Sequence, residues 1–347
     1  MTPAEPLPTT ADTRRPTLNA VAARAGVGRG TVSRVINGSP KVSPRSRAAV
    51  ERAIAELGYV PNRAARSLVT RRTDSVALVV PEAESRLFAE PYFSGIIRGV
   101  SAGLADSGMQ LLLVLARDEK EYERLAEYLS AQRVDGVLMM SVHSEDTLPD
   151  RLRELAVPTV LAGRRSLREP LGHVRADNRG GARGAVQYLL GRGRRAIGTI
   201  TGPLHMEAAR DRLDGYREAL RDARAAAGEE LVAHGDFTEA SGRAAMRELL
   251  RRCPHLDAVF AASDVMASGA VFELRAAGLR VPDDVAVVGF DDSIVARHVD
   301  PPLTSVRQPL EEMGRTMASL LLDEITEPGA GHREVVLPTE LVVRASA

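Results

Sequence analysis

Four polar side chains lie close together on one predicted helix: Arg29, Thr31, Ser33 and Arg34. An arginine can donate two parallel hydrogen bonds to the edge of a guanine, and each such contact is worth about 1–3 kcal/mol of discrimination between bases. The hydroxyl groups of threonine and serine can bond phosphates or bases. A single arginine on a helix is usually only solvated, so the prediction of a DNA-contacting surface depends on the whole cluster.

Three short helices are predicted to hold this cluster in place. The first covers residues 18–24, with Thr17 as its cap and Gly26 as the break that ends it. The second covers residues 29–36 and the third covers residues 44–57. Two short helices joined by a tight turn are typical of a helix-turn-helix, whose second helix enters the major groove of DNA.

Basic side chains are concentrated near one end of the chain. The whole sequence of 347 residues is neutral, with 46 basic and 46 acidic side chains. Residues 14–72 contain 13 basic and two acidic side chains, a net charge of +11, whereas residues 73–347 carry a net charge of −9. A compact segment with that charge favours a polyanionic partner. Nucleic acid is the first candidate, and an anionic membrane surface is the alternative.

From Asp74 onward, short apolar runs alternate with amphipathic helical stretches, which is the pattern of a parallel sheet covered by helices on both faces. The predicted strands cover residues 76–80, 110–115, 136–140, 158–161, 196–200, 231–234, 258–261 and 285–289. The predicted helices lie near residues 94–107, 119–131, 178–191, 208–226, 239–252, 265–277 and 309–326. Eight strands could form one barrel or two doubly wound sheets, and periodicity alone leaves both open.

Other features of the sequence exclude several classes of protein. No apolar run reaches the ~18 residues that span a bilayer, and residues 1–13 have the composition of a disordered tail rather than of a signal peptide. Cys253 is the only cysteine, so no internal disulfide can form. Because the sequence has no metal-spaced His or Cys cluster, no nucleophile elbow and no phosphate loop, we expect no metal, no cofactor and no enzymatic activity. The expected location is the cytoplasm, and a sugar-handling enzyme is the alternative from another class.

Three segments carry a more specific pattern. Residues 25–37 read Ala-Gly-Val-x-x-x-Thr-Val-Ser-Arg-Val-Ile-Asn, Val42 and Ser43 follow, and residues 55–68 read Ala-x-Leu-Gly-Tyr-Val-Pro-Asn-x-x-Ala-x-x-Leu. Together they resemble the DNA-binding head and hinge of the LacI–GalR family of repressors. The resemblance extends over residues 17–344, so it is not confined to one motif.

The resemblance implies an α/β protein with three parts: an all-α helix-turn-helix head, a hinge, and a periplasmic-binding-protein-like body of two doubly wound subdomains. The implied ranges are a tail at 1–13, the head at 14–60, the hinge helix and linker at 61–73, and an effector-binding and dimerisation body at 74–347. Within the body, the N-subdomain would hold about 74–172 and 307–332, and the C-subdomain about 173–302 and 333–347. The ligand cleft would lie between them, at the carboxyl ends of the strands.

For the head and hinge, the resemblance implies a set of DNA contacts. Two hinge helices of a homodimer would pack in the minor groove, where Leu68 would wedge open a base step. Gly30 departs from the longer side chain that is commoner at its position, so base reading would depend more on Arg29. The implied DNA-binding residues are Thr17, Leu18, Gly28, Arg29, Gly30, Thr31, Ser33, Arg34, Asn37, Asn62, Ala65 and Leu68.

For the body, the resemblance implies a saccharide site. Arg212 and Asp291 match the family's effector-binding arginine and aspartate, which would bind sugar hydroxyls from two sides. Phe93 and Phe237 match positions where an aromatic face meets the effector, and Ser263 stands where many members carry asparagine. The alternatives are that the two phenylalanines are ordinary core residues and that Arg212 and Asp291 only form a salt bridge.

The implied function is a repressor that a sugar releases from a near-palindromic, double-stranded operator on the nucleoid, although some members of the family bind DNA better with ligand. The whole chain is similar to actinobacterial repressors of cellulose utilisation that respond to cellobiose and short cello-oligosaccharides. The alternatives that stay open are another sugar, control by a partner protein or corepressor, and a transport binding protein with the same body.

Overall fold

The computed structural model describes residues 16–36, 38–59, 72–116, 118–225, 228–327, 329 and 333–347. The chain forms two compact units, residues 1–73 and 74–347, which contain the head and the body respectively. The predicted tail at 1–13 and most of the predicted hinge at 61–73 lie outside the described residues.

Local capping chemistry sets the ends of the three helices in the head, which are α1 (Leu18–Ala25), α2 (Arg29–Ile36) and α3 (Pro44–Leu57). The Thr17 hydroxyl accepts the Ala20 N–H at 3.2 Å, and Gly26 ends α1 in the left-handed region at a φ of 66°. Ser43 caps α3 in the same way as Thr17 caps α1. The inward faces of the three helices form one small core that contains Val21, Val32, Val35, Val50 and Ala53.

The body contains two six-stranded sheets. The first is formed by β1 (Ser75–Val80), β2 (Gln110–Leu115), β3 (Gly136–Met139), β4 (Thr159–Ala162), β5 (Gly172–Ala176) and β11 (Glu334–Leu337), in the order β11-β5-β4-β3-β1-β2 with every pairing parallel. The second is formed by β6 (Ile197–Thr201), β7 (Val232–His234), β8 (Ala258–Ala261), β9 (Ala286–Asp291), β10 (Thr304–Arg307) and β12 (Glu340–Val342), in the order β12-β10-β9-β8-β6-β7. Only the β10–β12 pairing among the described strands is antiparallel.

Helices cover both faces of each sheet and bury its apolar strands. The first lobe contains α4 (Glu84–Ala89), α5 (Pro91–Leu104), α6 (Glu119–Tyr128) with a π-helical turn at Leu129–Arg133, α7 (Leu148–Glu154) and α13 (Leu310–Thr326). The second lobe contains α8 (Asn178–Gly191), α9 (Glu207–Asp222), a 3₁₀ turn at Glu229–Leu231, α10 (Glu239–Arg252), α11 (Asp264–Ala276) and α12 (Ile294–His298). Each sheet has an apolar core on both of its faces.

The prediction of two doubly wound subdomains is confirmed, and the barrel is excluded. The chain passes between the lobes three times: from β5 to α8, from β10 to α13, and from β11 to β12. The predicted subdomain boundaries are wrong by a few residues, because 172–176 and 334–337 pair with each other in the first sheet and Arg307 lies in the second. These strands were missed because they are short and mix polar with apolar side chains.

A close helix contact fixes one of these crossovers. A Cβ atom on Gly99 of α5 would lie 2.2 Å from the carbonyl oxygen of Glu311 on α13, so only glycine allows the two helices to approach this closely. Because α13 begins directly after the second crossover, this packing holds Gln308 beside the first lobe.

Candidate functional site

A cavity lies between the two lobes, at the carboxyl ends of their strands. About 810 Å³ of space there is free of protein atoms, and part of that space is open to solvent. All five residues predicted to contact an effector line this one cavity: Phe93, Arg212, Phe237, Ser263 and Asp291.

Arg212 is held rigidly by neutral acceptors. It lies on α9 and is 5% exposed. Its Nε donates to Asn178 Oδ1 at 2.8 Å, its Nη1 donates to the carbonyl oxygen of Ala262, and its guanidinium carbon lies 3.8 Å from the centre of the Phe290 ring. Burial lowers the pKa of Arg212, and the charge of the nearby Asp291 carboxylate opposes that shift. The two hydrogen bonds fix the direction of the guanidinium.

Asp291 ends β9 in a conformation that is rare for a residue with a side chain. Its φ is 108°, in the region that favours glycine. Gln308 Nε2 donates to its Oδ1 at 2.6 Å, and Arg212 Nη1 lies 3.8 Å from the same oxygen. Burial raises the pKa of Asp291, while Arg212 and Gln308 act in the opposite direction. The carboxylate therefore has two partners and faces the cavity.

A buried network holds the loop that carries Asp291. Asp264, at the start of α11, is fully buried. Ser305 Oγ donates to Asp264 Oδ1 at 2.6 Å and accepts the Asp292 N–H at 3.0 Å, while the Ser293 N–H donates to Asp264 Oδ2 at 2.7 Å. Burial and the charge of Asp291 raise the pKa of Asp264. Two successive backbone amides are thus fixed, which positions Asp291.

The two predicted aromatic side chains serve both the core and the cavity. Phe93 is 1% exposed and packs edge-on against Tyr92, with ring centroids 5.4 Å apart. Phe237 has a φ of 72°, and a Cβ on Gly202 would lie 2.2 Å from its Cζ. Both rings belong to apolar cores and also line the cavity, so each of the two expected roles fits the geometry.

Ser263 uses its oxygen to cap a helix. Its Oγ accepts the Met266 N–H at 3.2 Å at the start of α11. The hydroxyl proton is a donor that this bond does not use, so Ser263 can act as a short donor toward the cavity.

Sequence reasoning missed several polar residues of the cavity. They are Arg86, Glu90, Tyr92, Arg164, Arg175, Asn178 and Gln308. Burial raises the pKa of Glu90 to about 7 against the opposing charge of Arg86, and burial also raises the pKa of Tyr92 to about 12. Asn178 lies two residues after β5 and Gln308 directly follows β10, two strands that the apolar pattern of the sequence does not reveal, and Tyr92 adjoins Phe93.

The predicted recognition surface lies along α2. Arg29, Gly30 and Arg34 are exposed, and Thr31 and Ser33 are half-buried on the same helix. A Cβ on Gly30 would meet only the Arg34 guanidinium, at 3.9 Å. The helix therefore presents its guanidinium groups to solvent, as a base-reading surface requires.

The other predicted DNA-contacting residues fall into two groups. Thr17 caps α1 and is exposed, Leu18 packs against the core of the head, and the exposed Gly28 accepts the Thr31 N–H at 2.8 Å with its carbonyl oxygen. Asn37, Asn62, Ala65 and Leu68 lie outside the described residues.

Among the described residues, no group of three or more His, Cys, Asp and Glu side chains is arranged to hold a metal ion. In that same part of the chain, every helix is too short or too polar to cross a membrane.

Comparison with known proteins identifies both parts of the chain. Residues 17–62 match the family described as bacterial regulatory proteins, lacI family, and residues 186–347 match the periplasmic binding protein-like domain. The HTH-type transcriptional regulator CelR of Thermobifida fusca is 58% identical over 340 residues, covering 96% of this chain and 98% of that protein.

Two solved structures agree with that comparison. A transcriptional regulator CelR–cellobiose complex superimposes with a TM-score of 0.77 at 56% identity, covering 96% of this chain and 100% of that one. The lac repressor dimer bound to operator and the anti-inducer ONPF superimposes with a TM-score of 0.84 at 28% identity, covering 96% and 99%. The chain is a DNA-binding transcriptional regulator rather than an enzyme, and it belongs to the lacI family of bacterial regulatory proteins.

Proposed function

We propose that this chain is a homodimeric repressor of sugar-utilisation genes that acts in the cytoplasm, on a palindromic operator of the nucleoid, and that cellobiose or a related oligosaccharide releases it. One observation carries the proposal. Arg212, Asp291, Phe93 and Phe237 line a single cavity between the lobes, where the Arg212 guanidinium lies over the Phe237 ring, 5.9 Å from its centroid.

The chemistry of that cavity suits a neutral saccharide. The C–H groups on the face of a sugar ring pack against aromatic rings without desolvating a polar group. The Asp291 carboxylate can accept hydrogen bonds from two adjacent hydroxyls, and the Arg212 guanidinium can donate to ring or hydroxyl oxygens. The likeness to a relative solved with cellobiose supports that sugar as the effector.

The head would supply the operator contacts. Arg29 and Arg34 on α2 reach base edges, and Thr31 and Ser33 bond phosphates or bases. The hinge at 61–73, with Asn62, Ala65 and Leu68, makes the minor-groove contacts that the family resemblance implies. A dimer places two heads over the two half-sites of the palindrome.

The sugar and the operator each stabilise a different arrangement of the two lobes. Cellobiose binds across the cavity and stabilises the closed arrangement, which separates the two hinges and lowers the affinity for DNA. A ligand can shift such an equilibrium only by the difference in its affinity for the two states, typically about 1–3 kcal/mol.

The test combines calorimetry with operator binding. The full chain is titrated with cellobiose, with maltose as the α-linked control and with glucose, and fluorescence anisotropy follows a labelled operator duplex during the same additions. We expect saturable heat with cellobiose, little with maltose, and release of the duplex at the same sugar concentration. Tighter DNA binding with cellobiose would reverse the sign of the effect. No heat with any sugar, with intact operator binding, would favour control by a partner protein or corepressor.

A further inference from the structure

We propose that Glu82 is a positioning residue for closure of the two lobes over the sugar. It holds Arg86 and His143, two side chains of the first lobe that reach across to the second lobe. The inference rests on the proposed function, because closure matters to sensing only through the ligand that binds between the lobes. Glu82 does not line the cavity, so its effect on the sugar is indirect.

Three side chains meet at the carboxylate of Glu82, which lies between β1 and α4 and is 8% exposed. Ser141 Oγ donates to Oε1 at 2.6 Å, and Arg86 Nη1 donates to both oxygens, at 3.0 and 2.9 Å. His143 Nε2 lies 3.1 Å from Oε1. All four residues belong to the first lobe, so the cluster can form whether or not the lobes are closed.

The charge of Glu82 decides how its partners are oriented. Burial raises the pKa of this carboxyl, but the hydrogen bonds from His143 and Ser141 and the charge of Arg86 outweigh burial, so its pKa lies below its usual value. An ionised carboxylate can only accept hydrogen bonds, so His143 Nε2 carries a proton. Arg86 and His143 are thereby fixed in direction by a group of their own lobe.

Arg86 makes the first of the two contacts with the second lobe. Its guanidinium carbon lies 5.8 Å from the centre of the Phe237 ring, within the range of a cation–π contact. The guanidinium is held by Glu82 through Nη1 and by Glu90 through Nε, with Nε and Oε1 2.5 Å apart. Two carboxylates of the first lobe thus direct this cation at an aromatic ring of the second lobe.

His143 makes the second contact. Its ring stacks on the ring of His205, which precedes α9 in the second lobe, with centroids 4.8 Å apart and an interplanar angle of 18°. Beside the rings, the Ser144 N–H donates to the His205 carbonyl oxygen at 2.9 Å. Neither histidine lines the cavity. One buried carboxylate therefore orients both contacts, and the second contact lies outside the sugar site.

The free energy of closing the lobes contributes to the affinity for any ligand that binds between them. Because Glu82 already orients Arg86 and His143, closure has fewer side chains to order, which favours the closed arrangement. Without the charge of Glu82, these two side chains lose their common acceptor, and the closed arrangement becomes less populated. Sugar affinity should then fall although the substituted residue lies outside the cavity wall.

The experiment compares two buried carboxylates of the first lobe in the full-length chain. Glu82→Gln keeps the size of the side chain and removes its charge. Glu169→Gln is the matched control, because the Glu169 side chain is also buried and accepts from Nε and Nη2 of Arg165, both at 2.9 Å, inside the first lobe. His205→Ala removes the stacked ring and leaves the backbone bond beside it in place. Thermal unfolding verifies that each variant is folded.

Calorimetry with cellobiose provides the readout. We expect Glu82→Gln to weaken cellobiose binding about tenfold, and Glu169→Gln and His205→Ala to weaken it by no more than about threefold each. The double variant of Glu82→Gln with His205→Ala should lose less than the product of its two single losses, because both changes remove the same contact. The double variant of Glu169→Gln with His205→Ala should lose the full product, since these two sites are independent.

These outcomes separate the inference from the proposed function. If the wild type gives no heat with cellobiose, the proposed function fails and the inference fails with it. If the wild type binds cellobiose, but Glu82→Gln loses no more affinity than Glu169→Gln or multiplies fully with His205→Ala, only the role of Glu82 fails.

A second variant covers the case in which Glu82→Gln does not fold. Glu82→Asp keeps the charge, but its shorter side chain cannot reach all three donors. We expect it to weaken cellobiose binding about threefold or more, through the charge-assisted hydrogen bonds that it loses. Wild-type affinity in Glu82→Asp would overturn the assignment.

Discussion

Arg212 Nη1 and Asp291 Oδ1 lie 3.8 Å apart, which is close enough for charge attraction and too far for a hydrogen bond. Each side chain is instead oriented by a neutral partner, Asn178 for the guanidinium and Gln308 for the carboxylate. The pair thus balances its charge without closing on itself. Donor and acceptor directions remain for a saccharide between or beside the two groups, whereas a tight bidentate salt bridge would use them up.

Removing the cation of this pair should damage both stability and sugar binding. In Arg212→Met, Asp291, whose side chain is only 13% exposed, loses the charge that counters its desolvation, and we expect a loss of about 3–5 kcal/mol in the free energy of unfolding at neutral pH. Sugar binding should disappear from calorimetry. The double variant Arg212→Met with Asp291→Asn should recover part of the stability without recovering sugar binding. A single variant that keeps the wild-type free energy of unfolding would show that the pair is not buried as described.

The hydrogen bonds to Asp264 lead to a prediction for Ser305, which does not line the cavity. Ser305→Ala breaks the link from Asp264 to the Asp292 N–H and frees the loop that holds Asp291 at its unusual φ. We expect sugar affinity to fall roughly 5- to 30-fold, the effect of losing one or two kcal/mol of preorganisation. Calorimetry with cellobiose measures this loss.

The control for that variant is Ser268→Ala on α11, whose hydroxyl donates to the Val265 carbonyl oxygen of its own helix, at 2.7 Å. Its sugar affinity should stay within about twofold of the wild type, since a local helix bond contributes little. Equal effects of the two variants would mean that the Ser305 bond does not position Asp291.

The head was predictable because its signals are local. Thr17, Gly26, Ser43 and Gly58 define helix ends through bonds to their own neighbours, so the three predicted helices agree with the structure to within one residue. The apolar runs of the central strands were equally clear, because a strand buried on both faces is apolar throughout.

The strands beside the crossovers were not predictable in the same way. β5 and β11 form one edge pair of the first sheet, and β10 carries threonine, serine and arginine beside a single valine, so neither shows a continuous apolar run. Asn178 and Gln308 follow β5 and β10, so a pattern that does not reveal these two strands does not place these two side chains at the cavity either. Arg164 lies three residues beyond a predicted strand, but nothing in the sequence indicates that its partner is Asp211, which lies 47 residues away.

Glu90 makes the stability of the body depend on pH. Its pKa is raised from 4.5 to about 7, because burial outweighs the attraction of Arg86. Between pH 4.5 and about 7, the Glu90 carboxyl therefore binds a proton more readily in the folded chain than in the unfolded chain. The stability that Glu90 contributes is fully present below pH 4.5 and is lost as the pH rises through about 7.

Urea unfolding at pH 5 and pH 8 measures this effect. Between pH 5 and pH 8, the free energy of unfolding of the wild type should fall by about 1–3 kcal/mol more than that of Glu90→Gln, because glutamine is uncharged at both pH values. Glu84→Gln, on the exposed first turn of α4, is the control and should follow the wild type. A Glu90→Gln curve parallel to the wild-type curve would show that the carboxyl is charged throughout this range.

The head offers a matched pair of arginines to test base reading. Arg29 is exposed at the start of α2, whereas Arg24, at the end of α1, pairs with Glu56 of α3 at 2.5 Å. Replacing either one by alanine removes one positive charge, so the non-specific attraction to phosphates should fall similarly in both variants. Only Arg29→Ala should also lose a base contact, which is worth about 1–3 kcal/mol, or roughly tenfold or more in operator affinity.

Fluorescence anisotropy with a palindromic site recovered from random duplexes, and with a scrambled duplex of the same length, separates the two contributions. The ratio of specific to scrambled affinity should fall in Arg29→Ala and stay near the wild-type ratio in Arg24→Ala. The salt dependence of binding should change similarly in both, because each variant lowers the net positive charge of the head by one. If the ratio falls equally in the two variants, Arg29 contributes only charge, and base reading must come from Arg34 or from residues beyond α2.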